Sequence, residues 1–160
     1  MSNYVKITTK VLIIYVIGGS LMLVSTKGRY ALRVMADLAS QKSNGFIPLT
    51  EVAQRQDISE KYLESIVSSL SRSGLLDSVR GKGGGYKLNR RPAEYSVADI
   101  LKATEGSYAP VSCLENPNKI CPRKDSCPTL KMWTELDRMI DRFFKGISVQ
   151  DLLDGTIGEI

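Results

Sequence analysis

The chain has 160 residues, a formal net charge of +5 from 22 Lys+Arg and 17 Asp+Glu, three cysteines and no histidine. That length suits one domain of ordinary size or a domain with an appendage, and 42% hydrophobic with 24% charged residues describes a globular chain rather than a disordered or collagenous one. Without histidine there is no Ser-His or Cys-His nucleophile pair and no HExxH metalloprotease site, and three cysteines cannot all pair within one chain.

The charge is unevenly placed. Residues 1–21 hold two bases and no acid, residues 22–91 hold 12 bases and 6 acids, and residues 92–160 hold 8 bases and 11 acids. The positive excess therefore sits in the first folded segment, which suggests that this half meets an anion while the mildly acidic half does something else.

Val11–Val24 is a run of 14 residues in which only Ser20 is polar. A bilayer span needs about 17–25 apolar residues, so the run is short for one. Its length and basic flank match the apolar region of a signal peptide, but no small-x-small cleavage site follows. The reading adopted is that the native protein starts at Met22 and that residues 1–21 are a translated leader. The codons of Gly18-Gly19 (GGN-GGN) can hold a purine-rich ribosome-binding sequence just upstream of that methionine. No membrane association is expected, and the location is expected to be the cytoplasm.

From Lys27 to Ser40, Ala31, Val34, Met35 and Leu38 fall at i, i+3, i+4, i+7, which predicts a helix with one apolar face, capped by Ser25 or Thr26. Lys42-Ser43-Asn44-Gly45 has turn chemistry. Thr50 starts a short helix, Glu51–Gln56, with Val52 and Ala53 inward. After Asp57-Ile58, Ser59 is expected to cap a third helix from Glu60 to about Arg72, where Leu63, Ile66, Val67 and Leu70 repeat the stripe and Ser73-Gly74 ends it. A short helix, a tight connection and a longer helix form a helix-turn-helix, whose second helix can enter a major groove. Its exposed candidates are Glu60, Lys61, Tyr62, Glu64 and Ser65, with Ser68, Ser69, Ser71 and Arg72 further along toward phosphates. Leu75–Val79, the glycine-rich turn Arg80–Gly85 and Tyr86–Leu88 predict a β-hairpin wing, with Arg80 and Lys82 placed for phosphate or minor groove. A nucleotide-cradling P-loop is the rival for this turn, but its GxxxxGK[ST] pattern is absent.

These residues resemble a known family. Ser25-Thr26-Lys27-Gly28-Arg29-Tyr30-Ala31, Ile58-Ser59-Glu60-Lys61-Tyr62-Leu63-Glu64 and Arg80-Gly81-Lys82-Gly83-Gly84-Gly85-Tyr86 are similar to the marks of the Rrf2 family of bacterial winged-helix regulators, over roughly Met22 to Gly155. The resemblance implies that Lys61 and Glu64 read bases and that Arg80 is the wing arginine of the minor groove. The expected DNA-binding set is Lys27, Arg29, Lys61, Tyr62, Glu64, Ser65, Arg80 and Lys82.

Cys113, Cys121 and Cys127 follow in a polar segment, spaced C-x7-C-x5-C. Thiolates select iron–sulfur clusters, zinc or copper. Zinc stays a rival, although it normally takes four protein ligands in a structural site and this chain offers three cysteines and no histidine. A structural disulfide suits a reducing cytosol poorly, and the flanking residues are too polar for three buried small hydrophobes. By resemblance, the cluster-binding members of the family carry three cysteines in this place, which implies an iron–sulfur cluster, [2Fe–2S] or [4Fe–4S], on Cys113, Cys121 and Cys127. The proteobacterial form has a histidine three residues after the third cysteine, where this chain has Leu130. The nitric-oxide-sensing relatives use an aspartate at the position of Arg29, which cannot ligate. Glu115, Asp125, a residue of a partner chain or an exogenous thiol stand as fourth-ligand candidates.

Tyr95-Ser96-Val97 leads into a helix, Ala98–Thr104, with Val97, Ile100 and Leu101 on one side. Pro128–Lys145 is a longer helix with Trp133, Leu136, Ile140 and Phe143 in a stripe that Met132, Met139 and Phe144 widen. This stripe is expected to be core and subunit interface together. Ser148 caps a last turn, Val149–Leu153.

The expected fold is mostly α with a small β-hairpin wing: a leader (1–21), a winged helix-turn-helix DNA-binding domain (22–91), and a cysteine-loop sensing segment with a long dimerisation helix (92–160). The expected function is a homodimeric regulator that binds a roughly palindromic double-stranded operator and senses iron–sulfur or redox status. The alternative is a cluster-free Rrf2 regulator that works by cysteine thiol oxidation or through a protein partner. A redox enzyme or electron carrier would call for a CxxC motif or a nucleotide fingerprint, and neither is present, so no enzymatic activity is expected.

Overall fold

Ser25 accepts hydrogen bonds from the amides of Lys27 and Gly28 and so opens the first helix, α1 (Thr26–Ser40). The structure is a computed structural model and describes residues 24–41, 45–116, 118 and 121–157. The leader, the Val11–Val24 run up to residue 23, and Lys42-Ser43-Asn44 of the expected turn lie outside the described residues. After α1 come α2 (Leu49–Gln56), α3 (Glu60–Arg72), β1 (Leu76–Val79) and β2 (Gly85–Leu88). A 3-10 turn at Pro92–Glu94 precedes α4 (Val97–Glu105), and a second one at Ser112–Leu114 precedes α5 (Leu130–Lys145) and α6 (Val149–Asp154). Among the described residues no helix is long and apolar enough to cross a membrane.

The expected stripes of α1 and α3 become the core, whereas the stripe expected as core on α5 does not, since no residue of that helix is buried. Ala31, Val34, Met35 and Leu38 of α1 meet Leu63, Ile66, Val67 and Leu70 of α3, with Val52 of α2 and Leu76 of β1 closing the group. Tyr95, Ile100 and Val149 belong to the same cluster, so the core runs across residue 91 and binds α4 and α6 to the winged segment. Side chains of this kind contribute about 1.5–3 kcal/mol each when fully buried. β1 and β2 pair antiparallel from Leu76–Leu88 to Val79–Gly85, and Ile47 adds a backbone bridge to Tyr86 with two 2.9 Å hydrogen bonds. The Arg80–Gly85 turn takes positive φ at Gly81 (97°) and Gly83 (77°), a conformation that glycine adopts without steric cost.

Three local expectations shift. α2 begins at Leu49, because Pro48 with φ −59° is already set for helix entry and takes the N-cap position ahead of Thr50. Ser59 stands at the N-cap of α3 but its hydroxyl makes no cap bond; its carbonyl receives the Tyr62 and Leu63 amides instead. The long helix begins at Leu130 rather than Pro128. Ser96 and Ser148, by contrast, each close a reciprocal capping box, with Asp99 and Asp151, and the two serines pair as an antiparallel bridge. The entries of α4 and α6 are thereby fixed side by side.

Candidate nucleic-acid interface and cysteine segment

The turn between α2 and α3 depends on a polar knot that α1 supplies. Asp37 is buried, and its carboxylate accepts from Arg55 Nη2 at 2.7 Å, Arg55 Nε at 3.0 Å and Gln56 Nε2 at 2.9 Å. The Arg55 guanidinium is held above its ordinary pKa, first by the hydrogen bond to Asp37. Arg33 donates from Nη2 to the carbonyl of Gln56 at 2.5 Å and so satisfies the end of α2. Asp57 then takes the left-handed conformation (φ 53°) that turns the chain into α3. The sequence reading missed this knot. Its one signal is an acid lodged between Met35 and Leu38 on the buried side of α1.

α3 rests on its apolar stripe and turns Glu60, Lys61, Glu64 and Ser65 to solvent. Tyr62 is half-buried and packs edge-on against Tyr30, ring centroids 5.9 Å apart. Ser65 donates to the Tyr62 carbonyl at 2.8 Å. Arg80 and Lys82 are exposed on the wing turn, and Arg29 is exposed on α1, donating to Thr26 Oγ1 at 3.2 Å. Lys27 is half-buried, and its ammonium donates to Ser69 Oγ at 2.9 Å. Of the further serines, Ser68 is exposed while Ser69 is buried. The structure thus keeps Lys61, Glu64, Ser65, Arg80, Lys82 and Arg29 in solvent and draws Lys27 and Tyr62 back toward the body.

The exit of the wing has its own anchor, Tyr95. Its ring is fully buried, and its hydroxyl accepts from the amides of Asn89 (2.8 Å) and Arg90 (2.7 Å) while donating to Asn89 Oδ1 (2.9 Å). Burial holds this phenol above its ordinary pKa.

Cys113 lies in the 3-10 turn, Cys121 and Cys127 in irregular chain, and all three thiols are free and partly exposed. Cys127 Sγ shares a 3.4 Å hydrogen bond with Thr129 Oγ1; this bond, with the Thr129 and Leu130 amides, holds the thiol below its ordinary pKa. The donor chemistry fits a soft metal centre: three unpaired thiols close in sequence on a stretch with little regular backbone. Among the described residues no three His, Cys, Asp or Glu side chains are gathered at metal-binding spacing.

α5 closes the segment. Phe144 faces Val97, Leu101 and Ile147, and its ring meets Tyr108 edge-on at 5.2 Å. Asp141 accepts from Lys145 (2.6 Å), Tyr108 Oη (2.8 Å) and Lys102 (3.3 Å), which hold its carboxyl down at about 2. The opposite face is uncovered: Met132 is 55% exposed, Met139 56% and Phe143 36%, and no residue of α5 is buried.

The comparisons with known proteins agree with this architecture. The Rrf2 family model, described as an iron-dependent transcriptional regulator, matches residues 24–155. The HTH-type transcriptional regulator IscR of Aliivibrio salmonicida is 37% identical over 132 residues, 82% of this chain and 77% of that protein. Among solved structures, IscR of T. potens aligns with a TM-score of 0.64 and 34% identity, covering 82% of this chain and 86% of that one. CymR of B. subtilis, the global cysteine regulator, aligns with a TM-score of 0.67 and 32% identity, covering 82% and 95%.

Proposed function

Because the chain belongs to the Rrf2 family of transcriptional regulators, we propose that it binds operator DNA as a homodimer and senses iron–sulfur status through a cluster on Cys113, Cys121 and Cys127. The observation that carries the DNA part is the pairing of α3, exposed at Lys61, Glu64 and Ser65, with a wing that presents Arg80 and Lys82. In this reading Lys61, Tyr62, Glu64 and Ser65 meet base edges, Arg80 and Lys82 the minor groove or phosphates, and Arg29 and Lys27 act at the start of α1. Residues 22–91 form the DNA-binding unit and residues 92–160 the sensing and dimer-forming unit. The regulator works in the cytoplasm. The uncovered face of α5 packs against the same face of a second copy, and two α3 helices then address a two-fold site.

When bound, the cluster supplies a group that oxygen or nitric oxide can destroy, and an incompletely protein-ligated cluster is the more labile for it. Glu115, Asp125, a residue of the second copy or an exogenous thiol completes the ligand set. A second reading has an observation of its own: the Cys127 thiol is held toward the thiolate by Thr129, which suits sensing by thiol oxidation without a cluster.

The DNA reading is tested by affinity for a roughly palindromic duplex at several salt concentrations, with light scattering for the oligomer. A dimer whose affinity falls steeply with salt is expected. Unchanged affinity in Arg80→Ala would remove the wing assignment, and a monomer would remove the dimer.

A further inference from the structure

The first turn of α1 is bonded on two sides. On one side Ser25, besides capping its own helix, donates from Oγ to Glu105 Oε1 at 2.6 Å. Glu105 is the last residue of α4, and Gly106 after it begins the stretch that carries the cysteines. On the other side the Lys27 ammonium donates to Ser69 Oγ at 2.9 Å, and Ser69 donates onward to the Ser65 carbonyl at 3.1 Å. Ser69 is buried in the middle of α3, one turn beyond Ser65 on the same side of the helix, so Lys27 reaches the flank of α3 that borders the solvent-facing Lys61 and Ser65. The fit between α1 and α4 is also close. A Cβ at Gly28 would stand 2.3 Å from Glu105 Oε1 and 3.1 Å from Leu101 Cδ2, so a side chain there would displace the Glu105 carboxylate from its place beside Ser25.

A lysine that serves only to bind phosphate has no use for a bond to a buried neutral hydroxyl, since an exposed, hydrated ammonium meets phosphate at lower cost. We infer that Lys27 is a positioning residue that sets α3 against α1, and that Ser25 and Glu105 extend this setting to the end of α4, so that a displacement of the cysteine segment reaches α3 through one helical turn. The inference rests on the proposed DNA-binding reading. It adds a route by which the sensing segment acts on the DNA-facing helix.

The two roles for Lys27 leave different marks on binding. A phosphate contact weakens all DNA uniformly and lowers the salt slope by about 0.9 per contact, whereas a positioning residue matters only where α3 reads bases. The experiment uses the full chain, a duplex selected from random sequence by this protein and a mixed-sequence duplex of equal length, each titrated at several salt concentrations. Ser69→Ala keeps every charge and introduces a good helix former. It is expected to lose about tenfold on the selected duplex, the value of a hydrogen bond to a charged group, and nothing on the mixed one. Lys27→Met is expected to lose the same preference, and the double variant to bind no worse than Lys27→Met alone. Glu105→Ala is expected to lose about threefold on the selected duplex, with Glu105→Gln, which keeps an acceptor, restoring it. Thermal unfolding of each variant checks that the fold is kept. Ser69→Ala binding like the wild type, or Lys27→Met weakening both duplexes equally with the full slope change, would overturn the positioning role. Wild-type affinity in Glu105→Ala would overturn the link to α4. A wild-type chain that binds no DNA would remove the DNA reading itself, and this inference with it.

Discussion

Helices α3 and α5 carry apolar stripes of the same periodicity, yet α3 buries Leu63, Ile66, Val67 and Leu70 whereas α5 buries nothing. α3 lies in the middle of a cluster fed by α1, α2, β1, Tyr95, Ile100 and Val149, all from one chain. Among the described residues α5 is held to the body along the edge that bears Phe144 and Asp141, and it leaves Met132, Met139 and Phe143 in water. Large apolar side chains grouped in solvent on one helix are a feature of association surfaces. The winged segment thus finds its packing within one chain, together with Tyr95, Ile100 and Val149, while α5 leaves an apolar face open to solvent.

The comparison can be broken most directly in α3. Leu63→Ala is expected to cost about 2–5 kcal/mol in urea denaturation, because the site is closed on all sides and collapses poorly. Met139→Glu is expected to change the stability of the monomer by no more than about 0.5 kcal/mol. In light scattering the same variant converts the dimer to a monomer, and affinity for a two-fold duplex falls on the order of a hundredfold as the second half-site is lost. If Met139→Glu unfolded the chain, α5 would belong to the core after all.

Tyr95→Phe sharpens the boundary between the two halves. It leaves the Asn89 and Arg90 amides without their shared acceptor, at an expected cost of about 1–3 kcal/mol, read as a lower urea midpoint with the hairpin still formed. The smallest effect is the acid limb of Asp141. Its folded pKa of about 2 lies below the unfolded value near 4, so its contribution is complete above about pH 4 and is lost as the pH falls through about 2. Asp137 works against it. Burial raises its pKa, so its ionised form opposes folding, and this penalty is relieved on acidification. Asp141→Asn should therefore flatten the loss of stability between pH 4 and 2 in denaturant titrations.

What was legible in the sequence were the features with a short period. The stripes of α1 and α3 follow from spacing alone, the Ser148 cap and the choice of Ser25 or Thr26 from residue type next to a helix, and the wing from glycines between short alternating runs. Pairings across long sequence separations left no such trace. Asp37 meets Arg55 and Gln56, and Lys27 finds Ser69, each through tertiary packing that no short window contains. Lys27 is the instructive case. It stood in the expected DNA-binding set, and the fold bonds its ammonium to the buried Ser69 hydroxyl. The cysteine segment was legible as chemistry, three thiols in a polar stretch, and not as geometry, since little regular backbone there sets where each thiol points.

The proposed iron–sulfur cluster on those three thiols has a direct signature in colour, iron and sulfide. The direct measurement is the absorption spectrum of the full chain purified without oxygen, with iron and acid-labile sulfide analysis, for the wild type and for Cys113→Ser, Cys121→Ser and Cys127→Ser. The account predicts a coloured wild type containing iron and sulfide, bleached by air, and loss of both elements in every variant. A colourless, iron-free wild type that binds its duplex equally well with and without oxygen would contradict it.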